Sequence, residues 1–273
     1  MKLKYPVLAT LVAMLSLTAC GGGGSGSTSS SSGSTGVAAD NPSSFSQTDT
    51  VLGTGAQAAS SNIVGIRYTA WLYSATAADH KGTQIDANLT SATPMVVVLG
   101  AGSTLKGLEQ GVTGMQLGGK RTLIIPASLA FGSTGYGTVP ANSGVVFDVQ
   151  LTDIQTLADA PAYSSVDTVP GTGATAAAGT TASVRYSAYL YNSSAANHKG
   201  ILVDTNSASA TPFAFVLGAQ QVITGFDQGV TGMKVGGKRT IVLPTSIAYG
   251  AAGSGSIPAN SGMVFDIELV AVK

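Results

Sequence analysis

The amino-acid sequence predicts two consecutive α+β domains, each an antiparallel β-sheet packed on one short α-helix. The first observation is a long internal repeat, because residues 46–154 reappear at 164–272 without insertion or deletion, with about half of the aligned positions identical. This repeat is longer than a solenoid unit of about 20 to 50 residues and has the usual size of a domain with its own core. The 273-residue chain therefore contains two copies of one domain.

Short runs rich in β-branched and aromatic residues predict the strands of each copy. Clusters of glycine, proline and asparagine separate these runs. In the second copy the runs are residues 184–191, 213–217, 239–243 and 263–270. After the first run comes a stretch dominated by alanine, asparagine, serine and threonine, at 192–202 in the second copy and 74–84 in the first. This composition predicts an extended surface loop.

One segment has helical spacing, because Ile223, Phe226, Val230 and Met233 recur at steps of three and four residues. We expect Gly236 and the glycine after it to end this helix. A sheet that packs on a single helix defines an α+β domain. The same apolar face in the first copy consists of Leu105, Leu108, Val112 and Met115.

The residues before the repeat predict a targeting segment. A positively charged start is followed by an apolar run at 6–17, which is too short to span a bilayer as a helix. The run ends in Leu17-Thr18-Ala19-Cys20, which resembles a bacterial lipobox, where the signal peptide is removed and the cysteine is acylated. We therefore expect a signal peptide at 1–20 and lipidation at Cys20. An ordinary secretory signal with an incidental cysteine is the alternative. Gly21 stands where an aspartate would resemble a signal for retention in the inner membrane. We therefore expect the periplasmic face of the outer membrane if the host is Gram-negative. Otherwise we expect the cell surface.

Residues 21–42 are mainly glycine, serine and threonine and predict a flexible linker, because they bury little apolar surface. The predicted domains are then residues 43–157, called domain 1, and residues 158–273, called domain 2. Cys20 is the only cysteine, so we expect neither a disulfide nor a catalytic thiol in either domain.

The charge balance argues against nucleic acid as a partner. Without Lys2 and Lys4, 11 basic residues remain against 13 acidic ones, a net charge of about −2. Charged residues form only 10% of the chain, and they form no basic stripe. Binding to nucleic acid requires a positively charged surface.

An ordered set of motifs resembles the FKBP-type peptidyl-prolyl cis-trans isomerase domain. The resemblance covers nearly all of each copy and implies a bent antiparallel sheet wrapped around a short helix, with a hydrophobic cleft between them. It also implies rotation of Xaa-Pro bonds as the activity. In domain 2 the motifs are residues 216–218, 225–230, 232–239, 248–250, 257–258 and 264–266, with sequences VLG, GFDQGV, GMKVGGKR, AYG, IP and VFD.

The resemblance assigns roles to residues of domain 2. Tyr249 and the backbone N–H of Ile223 hold peptide carbonyl groups, Asp204 interacts with the rotating amide, and Tyr186 supports Asp204 by a hydrogen bond. Apolar side chains enclose the proline ring. The residues implied to bind substrate are Val203, Phe213, Val222, Phe226, Ile257 and Phe265.

This chemistry needs neither a nucleophile nor a metal, because no bond is broken. The barrier to rotation is about 18–20 kcal/mol, and uncatalysed exchange takes about tens to hundreds of seconds. A turnover of about 10 per second therefore requires only about a thousandfold acceleration. An apolar cleft with one or two hydrogen bonds can supply it. We expect no cofactor, and we interpret His80 and His198, at one loop position of each copy, as turn residues.

Domain 1 departs from domain 2 at several cleft positions. Tyr249 is replaced by Phe131, which removes a hydrogen bond worth about 1 kcal/mol. Softer or more polar residues replace three other cleft residues. We therefore expect a weaker site in domain 1, by about fivefold or more from the lost hydrogen bond. The matching positions are Tyr68, Ile85, Asp86, Met95, Thr104, Leu105, Leu108, Phe131, Val139 and Phe147.

These observations predict a lipid-anchored, monomeric isomerase that acts on proline-containing segments of exported proteins. A peptide-binding chaperone without catalysis is the alternative, because such a protein needs the aromatic cleft but not the tyrosine and aspartate. A surface-displayed interaction protein with two relic clefts is the third possibility.

Overall fold

Each copy of the repeat forms a six-stranded antiparallel sheet with one short helix across one face. A computed structural model describes residues 40–158, 160 and 162–273. The predicted signal peptide, Cys20 and nearly all of the predicted linker lie outside these residues.

Domain 1 contains strands β1 to β6 and helix α1. Its sheet order is β1-β5-β6-β2-β3, and β4 pairs with β2 beside β3. The elements are β1 (Ser46–Val51), β2 (Asn62–Tyr73), β3 (Lys81–Ala87), β4 (Met95–Val98), α1 (Lys106–Val112), β5 (Lys120–Ile125) and β6 (Val145–Thr156), with a 3₁₀ turn at Ala127–Leu129.

Domain 2 repeats this architecture. Strand β8 is the long strand that pairs with β10 along its first part and with β9 along its second. The elements are β7 (Ser164–Val169), β8 (Thr181–Tyr191), β9 (Lys199–Thr205), β10 (Phe213–Val216), α2 (Thr224–Val230), β11 (Lys238–Leu243) and β12 (Met263–Val272), with 3₁₀ turns at Thr245–Ile247 and Gly250–Ala252.

The predicted α+β class and the predicted core strands are confirmed, with corrections in detail. The stretches expected to be surface loops are partly strand, since β3 begins at Lys81 and β9 at Lys199. Helix α2 ends at Val230, because Gly232 follows with φ +80° and turns the chain. The expected stop at Gly236 is therefore wrong by about one turn.

Strands β1 and β7 were not predicted from the sequence. Every residue of both strands is exposed, so no apolar alternation marks them. An arginine from the neighbouring strand fixes each one. Arg121 donates to Asp49 at 2.6 and 3.0 Å and to the carbonyl of Gly111 at the end of α1 at 2.8 Å. This arginine of the Gly-Gly-Lys-Arg motif therefore joins an edge strand to the helix.

The structure shows backbone contacts next to the expected domain boundaries. Residue 40 was placed in the linker, but the Gly144 N–H donates to the Asp40 carbonyl at 2.9 Å. Asn41 accepts from the Ala127 N–H at 2.8 Å. Ala158 occupies the place of Asp40 in domain 2, where its carbonyl accepts from the Gly262 N–H at 3.1 Å. Domain 1 therefore begins by Asp40, three residues earlier than the sequence suggested.

The helix packs into the concave side of its sheet, where glycines permit close contact. A Cβ at Gly229 would lie 2.6 Å from Ile241 of β11, so only glycine allows this approach. The core around α2 includes Phe226 and Phe265, each 1% exposed. Among the described residues, no helix is long and apolar enough to cross a membrane.

Candidate active site

The candidate site of domain 2 lies between helix α2 and the second half of β8, at the end of the sheet where β9 and β10 diverge. Tyr186 is at its centre and is 5% exposed. Its hydroxyl donates to Asp204 of β9 at 2.6 Å. Asp204 is only partly buried. The structure therefore brings together the tyrosine and the aspartate that the sequence singled out.

Aromatic rings surround Tyr186 on three sides. Its ring centroid lies 5.8 Å from Phe226, 6.3 Å from Phe213 and 6.5 Å from Phe265. Phe226 and Phe265 meet edge to face at 5.2 Å, an arrangement that aromatic rings favour. Phe215, which the sequence interpretation did not include, continues the cluster at 5.7 Å from Phe226.

Phe213 differs from the other rings in burial. It is partly exposed, whereas Phe226 and Phe265 are buried. Phe226 and Phe265 therefore form the floor of the site, and Phe213 forms part of its wall.

An asparagine two residues after the aspartate fixes the position of Tyr186. The Asn206 carboxamide accepts from the Tyr186 N–H at 2.6 Å and donates to the Val184 carbonyl at 3.2 Å. Strand β8 changes partner from β10 to β9 at this point, so its backbone groups need another partner. The only sequence signal was that Asn88 has the same place in domain 1, where it makes the equivalent bonds.

The loop after β11 contributes the other side of the site. Tyr249 precedes Gly250, whose φ of +63° turns the chain. Gly253 lies so close to the Ile257 carbonyl that an added Cβ would be 2.4 Å from that oxygen. Ile257 is thereby folded back into the core, where it is 2% exposed. Tyr249 and Ile223 are partly buried and pack against the same core.

The remaining predicted residues of domain 2 form the base of the site. Val203 is fully buried beside Asp204, and Val222 is 8% exposed just before the helix. Ile223 is the N-cap residue of α2, with extended backbone angles, and its carbonyl accepts from the N–H groups of Phe226 and Asp227. All ten predicted positions thus surround one region of domain 2.

Domain 1 has the same tyrosine and aspartate in a less aromatic setting. The Tyr68 hydroxyl donates to Asp86 at 2.5 Å. Burial, reinforced by this hydrogen bond, raises the pKa of Tyr68 far above that of an ordinary phenol. The hydroxyl therefore remains a donor across the usual working range. Among the described residues, Phe147 is the only aromatic side chain whose ring contacts that of Tyr68, at 5.6 Å.

The other predicted residues of domain 1 lie at the matching places. Leu105, Leu108 and Val139 are buried, whereas Met95 and Phe131 are partly exposed and pack on the core. Sequence reasoning missed Tyr136, whose ring stacks on Phe131 at 5.9 Å. Domain 2 has Ser254 at that position.

Neither the histidines nor the carboxylates form a metal centre in the part of the chain that the structure describes. His198 stacks on Tyr191 at 5.2 Å, and His80 stacks on Tyr73 at 5.1 Å. Both histidines have positive φ angles, 57° and 59°, as expected for turn residues. Their position in a tight turn explains their presence without a catalytic role.

The fold and the site define a class of protein in which aromatic rings surround a buried tyrosine that donates a hydrogen bond to a partly exposed carboxylate. The sequence model of the FKBP-type peptidyl-prolyl cis-trans isomerases matches residues 55–152 and 173–270. The chain belongs to this family and carries two of its domains in tandem.

The chain is also similar to individual proteins and structures. Peptidyl-prolyl cis-trans isomerase FKBP9 of Homo sapiens is 32% identical over 190 residues, which cover 69% of this chain and 32% of that protein. FK506-binding protein 3 of Candida albicans is 45% identical over 103 residues, 38% of this chain and 22% of that protein. A peptidyl-prolyl cis-trans isomerase structure from Pseudomonas syringae is 33% identical, covers 42% of this chain and 78% of that one, and gives a TM-score of 0.35. The chain spans about a third of the length of the human relative.

Proposed function

We propose that the chain accelerates cis-trans rotation of Xaa-Pro bonds, and that domain 2 carries most of this activity. The observation that carries the proposal is the Tyr186–Asp204 hydrogen bond of 2.6 Å inside a cluster of phenylalanine rings. A site that only held apolar segments would need the rings but not a buried hydroxyl aimed at a carboxylate.

The apolar floor favours the twisted amide over the planar one. Planarity depends on a charge-separated resonance form, which gives the C–N bond its double-bond character. A proline ring placed against Phe226 and Phe265 would leave water, and the adjoining amide would lose solvation of its charge-separated form. The required stabilisation is about 4 kcal/mol for a thousandfold acceleration.

The polar groups at the rim then act on the rotating amide. Asp204 is held by Tyr186, so its carboxylate is oriented before the amide rotates. In this proposal the Ile223 N–H and the Tyr249 hydroxyl bind carbonyl groups of the peptide. Orientation of the peptide by two such bonds lowers the entropic part of the barrier.

The test is to remove the polar groups of domain 2 in the full chain. Asp204→Ala combined with Tyr249→Phe is expected to lower kcat/KM for an Xaa-Pro peptide by about fivefold or more, to the level that domain 1 supplies, since each lost bond costs about 1–2 kcal/mol. Asp86→Ala in domain 1 is the matched control and is expected to leave most of the activity. Equal activity of the double variant and the unaltered chain, with both folded, would support a chaperone that binds without catalysis.

We further propose that the isomerase acts as a monomer on proline-containing segments of exported polypeptides while anchored to a membrane through lipid on Cys20. The lipobox-like residues 17–20 and the Gly/Ser-rich stretch after them support this location. Cys20→Ala is expected to release the protein from the membrane fraction of the producing bacterium. Mass spectrometry of the mature N-terminus would detect the acyl chains, and an unmodified cysteine would contradict the anchor.

A further inference from the structure

The two domains meet at an interface that buries apolar side chains. Ile63 of β2 is 1% exposed, yet it belongs to the hydrophobic core cluster of domain 2. Val96 and Val98 of β4 pack on the same cluster. One edge of the domain 1 sheet therefore buries apolar side chains against the other domain.

Comparison of the two copies shows that this edge is specific to domain 1. The position of Ile63 is Thr181 in domain 2, and the position of Val96 is Ala214, which is exposed. On the other side of the interface, Ile201 of β9 is 1% exposed. Its counterpart in domain 1 is the exposed Thr83. At Ile63, Val96 and Ile201 the faces that meet carry larger or more apolar residues than their counterparts, whereas Val98 is matched by Val216.

A single polar side chain completes the interface. Gln155, near the end of β6, is 6% exposed. Its carboxamide oxygen accepts from the Ile201 N–H at 2.9 Å, and its nitrogen donates to the Tyr191 carbonyl at 3.4 Å. A Cβ at Gly200 would lie 2.0 Å from that oxygen, so only glycine lets the carboxamide enter.

The carboxamide fills a gap in the β8–β9 ladder. Tyr189 pairs with Leu202 and Tyr191 pairs with Lys199, so two residues of β9 lie opposite one of β8. Such a bulge interrupts the ladder and leaves backbone groups without ladder partners. A buried backbone group without a partner costs about 1–3 kcal/mol. Gln155 supplies a partner on both strands, although it belongs to the other domain.

The strand that Gln155 holds is the strand of the candidate site. Asp204 follows Ile201 by three residues in β9, and Val203 between them is fully buried. The chain also passes directly from β6 into domain 2, because Ala158 accepts from the Gly262 N–H and Ala160 is 3% exposed. The interface and the short connection therefore restrict the same part of domain 2.

We propose that Gln155 of domain 1 is a positioning residue for the site of domain 2, holding β9 so that Asp204 is fixed against Tyr186. This inference rests on the proposed isomerase activity of domain 2 for its catalytic consequence. Domain 1 then contributes to catalysis as a support for its neighbour, independently of its own cleft.

The experiment uses the full chain with Gln155→Ala, and with Lys273→Ala as the matched control, since Lys273 has the same place in domain 2. Two measurements are made on each protein: hydrogen exchange of the Ile201 amide by NMR, and kcat and KM for an Xaa-Pro peptide. Loss of the carboxamide is expected to speed Ile201 exchange by about threefold to tenfold. We expect kcat to fall by a similar factor with KM nearly unchanged, because β9 carries Asp204 and not the aromatic floor. Lys273→Ala should change neither quantity.

A second variant controls for a local folding defect caused by Gln155→Ala. Ile63→Thr introduces the residue that domain 2 carries at this position, so it weakens the interface without an unfamiliar side chain. It is expected to speed Ile201 exchange and to lower kcat in the same sense.

The possible outcomes separate the two proposals. Unchanged Ile201 exchange in both variants would overturn the interface, and faster exchange with unchanged kcat would overturn the positioning role. If the unaltered chain has no isomerase activity, the proposed function fails, and the positioning role fails with it. The exchange measurement would still decide whether the interface exists.

Discussion

Tyr186 of domain 2 contacts three phenylalanine rings, whereas Tyr68 of domain 1 contacts one ring in the same fold. The hydrogen bond from the tyrosine to the aspartate is nevertheless present in both, at 2.6 and 2.5 Å. The hydrogen-bonded pair and the aromatic rings of this site therefore vary independently between the two domains. The polar pair is set by two strands that both domains share, and the differing aromatic rings lie on the helix and in β10.

The loop before the helix donates more hydrogen bonds to a helix carboxylate in domain 1 than in domain 2. In domain 1 the buried carboxylate of Glu109 accepts from the N–H groups of Gly100, Gly102 and Thr104 at 3.0–3.2 Å. Asp227, one methylene shorter, accepts from the Gly218 N–H at 2.9 Å in domain 2. Domain 1 therefore has the more firmly held loop.

The largest expected effect comes from removing the aromatic floor. Phe226→Leu gives domain 2 the residue that domain 1 carries at Leu108, and it removes ring contacts at 5.2–5.8 Å. We expect the free energy of unfolding of domain 2 to fall by about 2–3 kcal/mol, from lost ring pairs and a residual cavity. Denaturant unfolding of the full chain measures this loss. A change below about 0.5 kcal/mol would mean that the floor is not held by ring packing.

The next largest effect is expected from removing the hydrogen bond between Tyr186 and Asp204. Tyr186→Phe removes the donor to Asp204 and is expected to lower kcat/KM by about fivefold or more, towards the level that domain 1 supplies, because hydrogen bonds to charged groups contribute about 1.5–3 kcal/mol. Tyr68→Phe, the matched change in domain 1, should alter the total activity much less. A peptide isomerisation assay on the full chain makes the comparison. Equal losses would show that the two domains share the activity.

A smaller gain is expected from restoring a hydroxyl in domain 1. Phe131→Tyr introduces the residue of Tyr249, and one hydrogen bond of about 1 kcal/mol corresponds to about a fivefold gain in domain 1 activity. The gain is measured in a chain that carries Asp204→Ala, which removes the contribution of domain 2. No gain would indicate that Tyr136, stacked on Phe131, prevents the new hydroxyl from reaching the peptide.

The smallest expected effect is the pH dependence of stability that comes from the ion pairs of the edge strands β1 and β7. Hydrogen bonds from Arg121 and Arg239, opposed by slight burial, hold the pKa of Asp49 and Asp167 below their ordinary value of 3.8. Near pH 4 and just below it, the unfolded chain therefore binds more protons than the folded chain. The stabilisation is present above about pH 4 and is lost as pH falls through the folded pKa. Both carboxylates are substantially exposed, so the effect should be modest.

Asp49→Asn should remove the part of the acid dependence that belongs to domain 1. The slope of stability against pH below pH 4, taken from urea unfolding, tests this expectation. Asp167→Asn in domain 2 is the matched control. A slope that stays the same in both variants would place the acid sensitivity elsewhere.

The sequence by itself determined the repeat, the α+β class and the core strands of each copy. These followed from local patterns: apolar residues at steps of three and four on α2, and β-branched runs in β8, β11 and β12. It also identified Tyr186 and Asp204, because the family resemblance fixes their positions in the chain. Their roles remain predictions until activity is measured.

Only the tertiary structure decided where polar edges and interfaces lie. Strands β1 and β7 carry no buried residue, so nothing in their own composition marks them, and their arginine partners are about 70 residues away. Asn206 and Gln155 likewise read as ordinary surface amides in the sequence. Each occupies a break in strand pairing that exists only after the sheet has formed, because a backbone group needs a side-chain partner only where its neighbouring strand departs.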